Sequence, residues 1–163
     1  MKKGVKNYLG SIVLGLNDAL VELTGVLAGL TLALQSSKLI VVAGLITGVA
    51  ASLSMAGSEY LSTKAEGNGG RAGKSAFYTG FAYILTVLFL IFPYLLLSNV
   101  YYSLVWTLIN AVIVIFAFTY YVSIEKGESF KHRFLEMLAI SGGVTLISFG
   151  FGYLIRLYFG VVV

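Results

Sequence analysis

"SAFYTGFAYILTVLFLIFPYLLLSNVYYSLVWTLINAVIVIFAFTYYVSI", residues 75–124, contains no charged side chain. A soluble core has no use for an uncharged apolar run of that length. About 20 apolar residues cross a bilayer as a helix, so this run holds two crossings. The break between them falls at "LSNVYY", just after Pro93, which lacks an N–H and favours a kink or an approaching helix end. A membrane β-barrel would show short segments of alternating polarity, and none is visible.

Working outward, the rest of the chain reads the same way. Its 163 residues are 58% hydrophobic and 11% charged, whereas soluble domains carry about 25% charged residues. The pattern predicts an all-α, polytopic membrane protein, with residues 1–163 forming one transmembrane domain. Its five spans lie at approximately 9–34, 39–63, 76–97, 101–123 and 134–158. The breaks have physical causes. "QSSK" at 35–38 is a polar turn, "KAEGNGGRAGK" at 64–74 joins charge to glycine and cannot stay in lipid, and "EKGESFKHR" at 125–133 is a charged connector. No internal repeat is evident, and these loops leave no room for a separate soluble domain.

The formal charge of +4 reports topology, and no nucleic-acid partner is expected. Lys2, Lys3, Lys6, Lys64, Arg71, Lys74, Lys126, Lys131 and Arg133 fall on one side of the five-span arrangement. Only Lys38 and Arg156 fall on or near the other. Basic loops stay in the cytosol, which puts the N-terminus inside and the C-terminus outside. No small-residue cleavage site follows the first apolar stretch, so no removable signal peptide is expected. The absence of cysteine excludes a disulfide framework and thiolate metal ligands. The glycines at 67–73 do not match a phosphate loop, and no nucleophile–base arrangement is visible; the chain is not expected to be an enzyme. Without a sorting signal or soluble domain, a multi-pass protein of a prokaryotic cell membrane is expected rather than a vacuolar one.

Span one breaks its own pattern. In "LGLNDALVELTGVLAGLT", residues 14–31, Asn17, Asp18 and Glu22 stand where leucines would be ordinary. An ionised side chain near the bilayer centre costs at least ~2.5–3.5 kcal/mol, so two on one helix call for a function. Four residues apart, Asp18 and Glu22 share a face, and their repulsion and desolvation favour capture of a proton or a cation. Span two offers a partner in "SLSMAGSEYLSTKAE", with Met55 and, one turn on, Glu59. Counted from the cytosolic ends of their spans at ~1.5 Å per residue, Asp18 and Met55 both lie roughly 12–14 Å deep. A carboxylate beside a thioether suits a borderline transition metal such as ferrous iron, whereas calcium and magnesium prefer oxygen alone.

The expected metal set is therefore Asp18, Met55, Glu22 and Glu59, with Glu22 and Asp18 as proton-coupling candidates and Glu66 and Glu136 as weaker metal-uptake candidates. Plainer readings compete with these. Met55 alone reads more readily as packing than as a ligand, Glu59 equally as a residue of the wet interface, and Glu136 as an acid favoured at a helix N-terminus. Arg156 either pairs with the span-one acids or snorkels to the surface. His132 reads as solvated and Asn110 as interhelical glue. Gly25 and Gly29, and Gly44 and Gly48, at four-residue spacing, allow close helix approach, within one subunit or between two. An odd number of spans without a repeat cannot build an internal two-fold pathway, which favours a homodimer.

The stretches "GLNDALVELTGVLAGL" and "SMAGSEYLSTKAE" resemble the first two helices of the vacuolar iron transporter family. The likeness lies in Asn17-Asp18-Ala19 followed by Gly29-Leu30, in Ser54-Met55 with Tyr60-Leu61, and in Lys64-Ala65-Glu66. It implies a homodimeric exporter of ferrous iron, often also manganese, working in exchange for protons. Fe²⁺ or Mn²⁺ would then be cargo rather than a resident cofactor, passing Asp18 and Met55 at the dimer interface. Departures accompany the likeness. Ser11 and Thr47 stand where plant members have acids, and the short 64–74 segment cannot hold their cytosolic metal-binding domain. Glu22 and Glu59 are candidates to replace those acids. Two other functions compete: a proton-coupled exporter of small organic cations, which would favour an aromatic cage, and a non-transporting membrane scaffold.

Overall fold

A computed structural model describes residues 8–159 as five α-helices: α1 Leu9–Leu34, α2 Ser37–Ala65, α3 Gly69–Leu96, α4 Val100–Lys126 and α5 Phe130–Phe159. Each is long and apolar enough to cross a membrane. Lys2, Lys3 and Lys6 lie outside the described residues. Connectors of two to three residues force sequence neighbours to run antiparallel. Lys64, Arg71, Lys74, Lys126, Lys131 and Arg133 accordingly gather at the end of the bundle where α1 begins, while Lys38 and Arg156 sit at the opposite end.

The helices overrun the predicted spans into the charged segments. α2 continues to Ala65 and α3 starts at Gly69, so only Glu66, Gly67 and Asn68 of "KAEGNGGRAGK" form a connector. Gly67 makes the turn at φ 81°, a conformation that costs glycine nothing. Similarly, Gly127 ends α4 in the left-handed region and α5 begins three residues later. Charge and glycine mark where the chain leaves lipid, but a helix projecting into water satisfies its backbone as well as a loop does. Only the hydrophobic limit, not the helix limit, was written in composition.

α1 is the central element. It packs closely against α3 and α5 and more lightly against α2 and α4, and the other tight pair is α2 with α3. Leu20, Leu23, Leu27, Tyr83, Val87 and Leu90 are fully buried between them. Small residues set the spacing. A Cβ on Gly15 would strike the Thr79 carbonyl, and one on Gly152 would strike the Gly29 carbonyl. Gly25 and Gly29 lie against Val144 and Ser148 of α5, and Gly44 and Gly48 against Ile91 and Val87 of α3. All four spaced glycines thus pack within the chain.

In lipid, polar groups must find partners inside the protein. Thr31, Thr86, Thr119 and Thr145 bond back to carbonyls of their own helices. Ser52, Thr79, Thr107 and Ser141 instead reach carbonyls of a neighbouring helix. Pro93 leaves the Phe89 carbonyl without its helical N–H partner, and the Asn110 amide of α4 donates to that carbonyl at 3.3 Å. Helix α3 then ends at Leu96, three residues beyond the proline.

Candidate functional site

The acids of α1 and α2 occupy three levels of the bundle. Nearest the end where α1 begins, the Ser11 hydroxyl donates to Glu59 Oε1 at 2.7 Å. Ser11 itself is fixed from behind by Thr79, whose hydroxyl donates to the Ser11 carbonyl at 3.0 Å. Asp18 lies two turns further along α1 and is half-buried. One turn beyond it is Glu22, whose Oε2 accepts a 2.8 Å hydrogen bond from the Tyr83 hydroxyl. Asp18 and Glu22, four residues apart on one helix, are close enough to repel one another.

The Ser11–Glu59 bond sets the antiparallel register of α1 and α2, and the packing of Gly44 on Leu27 agrees with it. Asp18 is then level with Ser52, and Met55 lies about 4–5 Å nearer the end where α1 begins, at 1.5 Å per residue. This corrects the equal depths expected from span ends, because α2 runs past its predicted limit at residue 63. Side chains tilt toward the N-terminus of their own helix. On antiparallel neighbours, Asp18 and Met55 therefore lean toward one another and recover part of the offset. Met55 itself is half-buried against the core.

Glu22 and Glu59 do not share a level. They flank the Asp18–Met55 region from opposite sides, each tied to a hydroxyl from another helix. The partner of Glu22 is thus a hydroxyl of α3. Tyr83 escaped the sequence reading, although a tyrosine in the middle of a span signals a hydroxyl that needs a buried acceptor. The remaining candidates lie apart. Glu66 is exposed in the α2–α3 connector, 3.5 Å from the Ser62 hydroxyl. Glu136 is exposed in the second turn of α5, which begins at Phe130, so the helix N-terminus no longer accounts for it. Arg156 sits in the last turn of α5. Ser141 meets the Leu20 carbonyl, so Arg156 lies ~20 Å along the bundle from Glu22 and cannot neutralise it.

No group of three or more acidic or histidine side chains able to hold a metal forms among the described residues. Within one chain the arrangement offers instead a ladder of carboxylates along α1 and α2, with one thioether beside it. Asn17 adds a buried amide oxygen that has no hydrogen-bond partner among the described residues. On α1, Leu14 and Glu22 are exposed and Asn17, Asp18 and Val21 only partly covered.

A helical bundle with five helices long and apolar enough to span a membrane defines a polytopic membrane protein, here with carboxylates on its central helix. Residues 9–72, which hold α1, α2 and the first turn of α3, match the model of the VIT family. The match covers the first two helices and less than half of the chain, and it makes this part of the chain similar to the VIT family. No curated protein matches the chain.

Proposed function

We propose that the protein exports ferrous iron, or manganese, from the cytosol in exchange for protons, working as a homodimer. The observation that carries this reading is the Asp18–Glu22 pair. Two carboxylates lie one turn apart on an incompletely covered face of the central helix, inside the segment that matches the VIT family. Among the described residues, no cation pairs with either of them.

In this mechanism the ion arrives at the cytosolic end, where Glu59 and the basic helix ends lie. It sheds water and passes to Asp18 and Met55, whose hard and soft donors suit a borderline metal. One chain supplies too few ligands to hold it, so the same residues of a second copy complete the shell. Protons arriving from the opposite side weaken the carboxylates as ligands and release the ion outward. The empty, fully ionised pair is disfavoured by its own repulsion, which prevents the carrier from returning without a proton.

The test is metal flux into liposomes containing the purified protein, with an imposed pH gradient, for wild type and Asp18→Ala. Gradient-dependent iron or manganese flux that vanishes in the variant is the expected result. Absence of flux for iron, manganese and cobalt alike would defeat the proposal. The scaffold reading draws on the Ser11–Glu59 and Tyr83–Glu22 bonds, which would serve helix association alone. It requires that Asp18→Asn leave function intact.

A further inference from the structure

Tyr83 is wholly buried, with its ring held in the core between α1 and α3. Its one polar atom reaches out of that core to Glu22 Oε2, at 2.8 Å. Glu22 stands at an exposed position of α1, where a glutamate would ordinarily sample many rotamers. Its other oxygen, Oε1, has no hydrogen-bond partner among the described residues. A rigid donor therefore clamps one carboxylate oxygen and leaves the other presented to the open face that also carries Asp18.

We infer that Tyr83 is a specificity-determining positioning residue: it fixes Glu22 as a single-oxygen ligand and so denies larger, oxygen-seeking cations a chelating carboxylate. This deepens the transport reading and rests on it. Calcium takes six to eight oxygens and often binds a carboxylate through both. Ferrous iron and manganese are smaller and complete an octahedral shell with single-oxygen donors and water, and iron accepts a thioether among them. With Oε2 tied to Tyr83, the carboxylate is held in one orientation with one Oε2 lone pair occupied, so turning both oxygens to one ion costs it the Tyr83 bond. Calcium then finds too few donors, whereas a smaller transition metal does not need the second oxygen.

The experiment measures Mn²⁺ flux in proteoliposomes, with and without excess Ca²⁺, for wild type, Tyr83→Phe and Glu22→Asp. Phenylalanine keeps the ring that fills the core and removes only the hydroxyl. In Tyr83→Phe the KM for Mn²⁺ is expected to rise about fivefold, the loss of one hydrogen bond, with a smaller fall in kcat. Excess Ca²⁺, without effect on wild type, is expected to halve the flux of this variant. Glu22→Asp, too short to reach Tyr83, is expected to gain the same calcium sensitivity with the tyrosine intact, and it decides the matter should Tyr83→Phe fail to fold. Wild-type KM and indifference to calcium in the variants would overturn the inference and leave the transport reading standing. A wild type that moves none of Mn²⁺, Fe²⁺ and Co²⁺ would overturn both, and that result appears before any variant is examined; a wild type that moves Fe²⁺ but not Mn²⁺ is carried through the same comparison with Fe²⁺.

Discussion

At the scale of single residues, each acid that flanks Asp18 is held by a hydroxyl from a different helix: Glu59 by Ser11 and Glu22 by Tyr83. The resemblance to plant transporters implied an acid near the start of span one, and serine stands there instead. The carboxylate at that level comes from the facing helix, and Ser11 serves as its donor. If Glu22 and Glu59 carry the protons, the double variant Glu22→Gln, Glu59→Gln keeps the shape of both hydrogen bonds but removes both titrating groups. Metal flux in proteoliposomes should then lose its dependence on the pH gradient, with the residual flux following the metal gradient alone. Flux that still rises with the proton gradient would place coupling on Asp18 or elsewhere. Asp18, Glu22, Met55 and Glu59 were legible in the sequence because charge and sulfur are conspicuous among leucines. Tyr83 was not, because the chain has many aromatic residues and only the packing of α3 on α1 distinguishes this one.

At the scale of helices, the hydrophobic runs determine where the five elements lie, and all five are found. Their ends were less legible. Hydropathy reports lipid contact, whereas a helix ends where a glycine such as Gly127 turns the backbone or where a proline withholds an N–H. Pro93 lies inside α3, three residues before its end, and gives a prediction at this scale. Its missing N–H frees the Phe89 carbonyl, which Asn110 of α4 satisfies. Asn110→Leu should therefore destabilise the bundle by about 1–2 kcal/mol, the cost of a carbonyl left unpaired where only lipid faces it. In a Pro93→Ala background the restored N–H takes over that carbonyl, so the same substitution should cost less than half as much. A double-mutant cycle read by thermal or denaturant unfolding in detergent measures the coupling. Equal costs in the two backgrounds would mean that Asn110 acts through packing and not through the carbonyl.

At the scale of the whole molecule, the uneven burial of the helices matters most. α1 is central, yet part of its surface, with Leu14 39% exposed and Glu22 exposed beside Asp18, is left open. α5 is the barest span, with 17% of its most apolar window buried. Bare leucine and phenylalanine are at home against lipid, so most of α3, α4 and α5 needs no cover. A bare carboxylate is not, since facing hydrocarbon costs it ~2.5–3.5 kcal/mol or more. The open strip of α1 must meet water or protein, and in the proposed homodimer a second copy related by a two-fold axis would supply both cover and the missing ligands. Residues near such an axis meet their own counterparts. The chain has no cysteine, so a single introduced thiol reports its own position without interference. Leu14→Cys should form a disulfide-linked dimer on mild oxidation in native membranes. Trp106→Cys, 55% exposed in its native form and on α4, should stay monomeric on the same gel. A cross-link at Trp106 with none at Leu14 would move the pairing surface to α4. The carboxylates would then face a water-filled groove of a single chain, and the ligands for the ion would have to come from solvent.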